Sequence, residues 1–163
     1  MEKIKKILVA LAFSEYAKAI FNFAAGLAER LEAELIVASV INSRDVEAVR
    51  KISSMGYDVD GEHYIEGVRK ERETILEQIM KESSFPAEKI STIFNVGNPV
   101  DELLKIIVER DVGLVVMGIK GHTDVEHFLV GSVAEKLFRR SPVPVISFRS
   151  GEQAERLKKR IHI

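Results

Sequence analysis

Cysteine is missing from all 163 residues, which excludes a disulfide framework, a thiolate metal site and cysteine-based catalysis, and fits a reducing compartment. A surplus of one charge is missing too: 24 Lys and Arg stand against 25 Asp and Glu, so the surface is mixed in sign and lacks the basic excess of a general nucleic-acid binder. The apolar run that follows Lys3, Lys5 and Lys6, "ILVALAF", is far short of the roughly 20 residues of a membrane helix and has no small-residue cleavage site behind it. Together these absences predict a soluble cytoplasmic protein with neither a membrane nor a nucleic acid as partner. Repeats and low-complexity stretches are absent as well. No serine nucleophile motif and no recognisable pair of acid and base carboxylates stands out, and His122 and His127 lack the spacing and intervening Glu of a helical zinc pair.

What is present is a core-forming chain with a regular order of elements. A 46% apolar fraction over this length suits one domain with a sizeable interior. "IKKILVALAF" (4–13) reads as a strand buried on both faces. Ser14 then stands where a cap belongs, ahead of a helix whose apolar positions run from Ala17 to Leu31 at spacings of three and four. "ELIVASVI" (34–41) is a second buried strand. Residues 42–61 mix polarities and contain two glycines, so they read as an irregular excursion with room for a short helix. From Glu62 to about Ser83, Ile65, Val68, Ile75, Leu76 and Ile79 make the stripe of an amphipathic helix. "ISTIFNV" (90–96) is a third strand, and Asn98 with Pro99 opens the next helix as cap and first residue. "VGLVVMG" (112–118), a helix over 133–140 and "VPVISF" (143–148) complete five strands alternating with four helices, the pattern of a parallel sheet with right-handed crossovers.

The segment most suggestive of chemistry lies between the fourth strand and the last helix, "MGIKGHTDVEHFLVGS" (117–132). Gly118, Gly121 and Gly131, the last followed by Ser132, fit neither a P-loop nor a dinucleotide fingerprint. Even so, a glycine loop leaving the carboxyl end of a parallel strand is where such sheets bind ligands. Its glycines allow close backbone approach and positive φ, Lys120 adds a cation, and Gly131 and Ser132 introduce a helix N-terminus that attracts anions. A phosphate chain suits these groups better than an apolar ligand does. Ser132 with Glu135 also forms a Ser-x-x-Glu capping box, so a purely structural role for the serine stays open.

The tract from "GNPVDELL" through "DVGLVVMGIKGHTDVEHFLVGSVAEKLFRRSPVPVI", with the opening "KKILVALAFSEYAKAI", resembles the universal stress protein family, whose nucleotide-binding members share Gly-x2-Gly-x9-Gly-Ser/Thr. Gly118, Gly121, Gly131 and Ser132 match that motif in identity and spacing. The resemblance implies a single Rossmann-like α/β domain over 1–149 with a short basic tail over 150–163, and a five-stranded parallel sheet of order 3-2-1-4-5 with helices on both faces. It implies an adenine nucleotide, ATP or AMP, with or without Mg²⁺, held by Ala10, Ala12, Val40, Met117, Gly118, Lys120, Gly121, His122, Gly131, Ser132 and Val133, the base near Ala12 and Val40 and the phosphates over the glycine loop. One departure stands out: ATP-binding relatives usually carry Pro and Asp where this chain has Ala10 and Ala12, so a pocket carboxylate is lost. The function implied is a regulatory or stress-response module acting through an unidentified protein partner, with ATP hydrolysis slow at most; a stress-response dimer that binds no nucleotide is the alternative.

The last strand adds an assembly expectation. Pro142 and Pro144 cannot donate ladder hydrogen bonds, which predicts a sheet edge, yet Val143, Val145, Ile146 and Phe148 are too apolar for a bare edge. A homodimer through this strand, with Val145 and Ile146 near the contact, follows. The tail "SGEQAERLKKRIHI" reads as a solvated helix or a disordered segment.

Overall fold

The computed structural model describes residues 1–119 and 132–163. Strands β1 (Lys6–Ala10), β2 (Glu34–Asn42), β3 (Ile90–Gly97), β4 (Leu114–Gly118) and β5 (Val145–Phe148) form one parallel sheet of order β3-β2-β1-β4-β5. Period-two alternation sends successive side chains to opposite faces, and here both faces are covered. Ile7, Val9, Leu35, Val37 and Val116 pack against helices α1 (Ala17–Leu31) and α3 (Gly61–Glu82), while Leu8, Ile36, Ala38, Val115 and Met117 pack against α4 (Pro99–Glu109) and α5 (Ser132–Arg140). Phe21 of α1 is fully buried, a contribution of about 1.5–3 kcal/mol from its transfer out of water alone.

Several local readings of the sequence need correction. Within the 42–61 excursion the short helix for which it left room is present as α2 (Ser43–Ser54), which takes up most of a stretch read as irregular, so the β2–β3 connection holds two helices. Asn42 caps it, accepting a hydrogen bond from the Arg44 amide at 3.0 Å. Only Val46 of α2 is buried, so the mixed polarity that hid this helix is that of a solvated surface element. Gly56, at φ 93, turns the chain beyond α2 in the left-handed region that an L side chain resists, and Asp60 caps α3 by accepting from the Glu62 amide at 3.1 Å.

Ser14 is not the cap of α1. The helix starts behind Tyr16, which makes no side-chain cap bond, and Ser14 Oγ instead accepts from the Tyr16 amide at 3.3 Å within the turn. At the other end of the chain, a reciprocal Ser150–Gln153 capping box opens α6 (Gly151–Lys158), none of whose residues is buried, as the solvated-helix reading of the tail expected. Among the described residues there are thus six α-helices, with a 3₁₀ turn at Ala87–Lys89, rather than four.

The expected cap of α4 is present: Asn98 accepts from the Val100 and Asp101 amides at 3.1 and 3.2 Å, with Pro99 at the first position. β5 occupies the expected sheet edge, and Phe148 stacks on Phe23 of α1 with ring centroids 4.9 Å apart. No helix among the described residues is long and apolar enough to cross a membrane.

Candidate functional site

The chain leaves β1 for α1 on one face of the sheet and leaves β4 towards α5 on the other, so the carboxyl ends of these neighbouring strands diverge. A cavity of about 220 Å³ opens there. It gathers Ala10, Ala12, Val40, Met117, Gly118, Ser132 and Val133 from among the residues singled out in the sequence. Lys120, Gly121, His122 and Gly131 lie outside the described residues.

Each wall has a local cause. Beyond β1, Phe13 adopts φ 56, a left-handed conformation unusual for a bulky residue and worth about 1–3 kcal/mol of strain, in the turn that carries Ala12 and Ser14 into the cavity wall. β2 contributes Ala38 and Val40, whose small and apolar side chains, with Ala10, Leu11 and Ala12 of the β1 end, make a floor able to take a flat apolar group. On the β4 side, Gly118 stands in ladder register with Phe148 and keeps an extended strand conformation. Its missing side chain therefore provides room rather than a positive φ, which among the described glycines only Gly56 adopts. Ser132 opens α5 on this same side, and a helix N-terminus there gives the wall positive character towards an anion. Glu135, the partner expected for a capping box, pairs with Arg139 at 2.8 Å. The N-terminus of α4 also borders the cavity through Pro99, but Asn98 already occupies two of its amides.

Sequence reasoning missed the polar end of the cavity. Asn42 at the end of β2, Asp45 of α2 and Arg72 of α3 line it. Arg72 lies within the stripe that identified α3, four residues after Val68 and four before Leu76, so its helical position already set it on the core-facing side as a charge among apolar residues. It is half-buried, donates from Nη1 to Ser39 Oγ at 2.8 Å and to the Val40 carbonyl at 3.2 Å, and holds its guanidinium 5.8 Å from the centroid of the Phe13 ring. Burial pulls its pKa below the usual arginine value, against the opposing influence of Tyr64, Glu71 and Asp45, and it remains a cation at neutral pH. Asp45 and Arg72 are the ionisable groups of the described wall.

The donor set fits a nucleotide better than a protein-held metal. Among the described residues no cluster of three metal-ligating side chains exists. The wall's one carboxylate, Asp45, follows β2, two strands away from Gly118 and Ser132, or about 10 Å by the spacing of strands. The described residues at the β4 end therefore offer no carboxylate for Mg²⁺.

Comparison with known proteins agrees with this architecture. The model of the universal stress protein family matches residues 3–149. A putative universal stress protein of Staphylococcus epidermidis is 32% identical over 158 residues, covering 95% of this chain and 90% of its own length. A universal stress protein of Methanocaldococcus jannaschii is 30% identical over 151 residues, covering 87% of this chain and 93% of its own. The solved structure of the M. jannaschii protein aligns with a TM-score of 0.70 at 25% identity, over 92% of this chain and 99% of that one. A universal stress protein of Archaeoglobus fulgidus, solved in complex with dAMP, shares the fold with a TM-score of 0.62 at 20% identity, over 91% of this chain and 100% of that one. With the sheet order, the match over nearly its whole length and these relatives taken together, the chain belongs to the universal stress protein family.

Proposed function

We propose that the cavity at the β1/β4 switch point binds an adenine nucleotide and that the protein is a nucleotide-responsive regulatory module rather than an enzyme. The observation that carries this reading is the convergence of Ala10, Ala12, Val40, Met117, Gly118, Ser132 and Val133 on one cavity with an apolar floor at the β1–β2 end and a helix N-terminus at the β4 end. A base stacks on the first and phosphates meet the second. The dAMP complex of the A. fulgidus neighbour supports an adenine base. The matched glycine spacing at Gly118, Gly121, Gly131 and Ser132 supports the phosphate end, with Lys120 and His122 as its further contacts.

Regulation is favoured over turnover by the wall itself. Its described ionisable groups are a guanidinium that stays protonated and a carboxylate on the β2 side, far from where phosphates would lie, so among the described residues no proton donor and acceptor flank a scissile bond there. The bound state would be read by a protein partner or by a second copy of the chain. Pairing through the open edge of β5, around Val143, Val145 and Ile146, supports a homodimer, since that edge has an uncovered ladder side beside half-buried apolar side chains. Mass spectrometry of small molecules released from the freshly purified native protein tests the ligand. An adenine nucleotide at near-equal stoichiometry is expected, and a chain that carries none and takes up neither AMP nor ATP on dialysis would overturn the reading.

A further inference from the structure

Arg72 is an unusual investment for a cavity wall. A guanidinium has five N–H donors. The two hydrogen bonds it makes, to Ser39 Oγ and the Val40 carbonyl, both come from Nη1. Among the described residues Nε and Nη2 have no protein acceptor and no carboxylate lies within ion-pair distance of the group, although it is half-buried beside the cavity. Asp45 faces the same space and is felt electrostatically by Arg72 without pairing with it. A cation and an anion of the described wall therefore line one cavity without an ion pair between them.

The bond to Val40 has a second consequence. It takes one of the two lone pairs of the Val40 main-chain carbonyl, near the end of β2, and sets a cationic donor beside it. The charged acceptor on that side, among the described residues, is the Asp45 carboxylate. Arg72 is also tied to β2, two strands from Gly118 and the start of α5, a separation of about 10 Å by strand spacing, so its free donors serve the base end of the cavity rather than the phosphate end.

Building on the nucleotide reading, we infer that Arg72 and Asp45 are a base-reading pair: Arg72 donates to a ring nitrogen of the purine while Asp45 accepts from the neighbouring exocyclic amino group. A ring acceptor beside an amino donor is the edge adenine presents; Arg72 alone would donate equally to the O6 and N7 of a 6-oxo purine, so the discrimination comes from Asp45 as acceptor for the amino group. A 6-oxo purine puts an acceptor where Asp45 needs a donor. Ser39, almost fully buried at 2% exposure, is the positioning residue that holds the guanidinium through its hydroxyl.

Calorimetry on the full chain with AMP, IMP and ribose 5-phosphate tests this. The native protein is expected to bind AMP roughly tenfold or more tightly than IMP, the penalty of an unpaired buried polar group. Arg72→Met should weaken AMP binding roughly ten- to a hundredfold and leave ribose 5-phosphate binding unchanged, and Asp45→Asn should narrow the AMP-to-IMP ratio. Arg72→Lys keeps the charge and stem and loses the fork, so it carries the same test should the Met variant fail to fold. Equal losses for AMP and ribose 5-phosphate would make Arg72 a phosphate contact, and unchanged AMP binding in a folded Arg72 variant would make it a staple between α3 and β2; either overturns the pair. A native chain that binds neither AMP nor ribose 5-phosphate would instead overturn the nucleotide reading on which the pair rests.

Discussion

Placing a carboxylate at Ala12 with Ala12→Asp probes the departure from the family pattern that the resemblance implies at this position. Ala12 is exposed to the cavity, two residues past the end of β1, so an added carboxylate there enters solvent and displaces no core atom. The new charge shares the wall with Asp45, which repels it, and with Arg72, which attracts it, so the fold should tolerate it with little change in stability. Where it meets a ligand hydroxyl or amino group it adds a charge-assisted hydrogen bond of about 1.5–3 kcal/mol, equivalent to roughly ten- to a hundredfold tighter binding. It also supplies a hard oxygen ligand close to the ligand, so Mg²⁺ should strengthen ATP binding more in the variant than in the native chain. Titration calorimetry of both proteins with AMP and ATP, with and without Mg²⁺, measures all of this. Identical affinities in every combination would refute the reasoning, because they would mean that Ala12 does not face the bound ligand.

Filling the space at the β4 end with Gly118→Val should abolish AMP binding while the circular-dichroism spectrum stays native, and full affinity in the folded variant would contradict the role given to that wall. Val145→Lys with Ile146→Lys should turn a dimer into a monomer at micromolar concentration; light scattering that finds the native chain monomeric, or the variant still dimeric, would exclude the β5 contact. Asn98→Ala removes the acceptor for two amides of α4 and should destabilise the chain by about 1 kcal/mol in urea unfolding. Lys18, hydrogen-bonded to Glu82, holds that carboxyl below its ordinary range and ties α1 to α3. Because a depressed folded-state pKa stabilises above the unfolded value and that stabilisation fades as pH falls through the folded one, the stability difference between the native chain and Glu82→Gln should shrink on acidification; a difference that stays constant across the carboxylate range would contradict the pairing.

The parallel sheet was legible because its central strands β1, β2 and β4 are buried on both faces and so stand out as apolar runs, and α4 because Asn98 and Pro99 together form an unambiguous start signal. The cavity's small and apolar wall was legible by family resemblance and by the rule that ligands sit at the carboxyl ends of such strands. What escaped notice has more than one physical cause. α2 buries only Val46, so its helical period leaves almost no apolar trace, and its cap, Asn42, looks like an ordinary loop residue. Asp45 sits on that same solvated helix and is marked by tertiary position alone, whereas Arg72 stands inside the apolar stripe of α3 between Val68 and Leu76, a signal that was there to be read. Ser14 misled for the opposite reason: it had the right chemistry for a cap, but the turn through Phe13 and Tyr16 postpones the helix to Ala17.

The account stands or falls on whether the switch-point cavity takes the nucleotide. An amide NMR titration of the full chain with AMP tests this most directly, since it reports both binding and place. Saturable shifts confined to Ala10–Ser14, Val40–Asp45, Met117–Ile119 and Ser132–Ala134, within the described residues, are the predicted result. No shifts at millimolar AMP, or shifts centred on another surface with these segments silent, would contradict it.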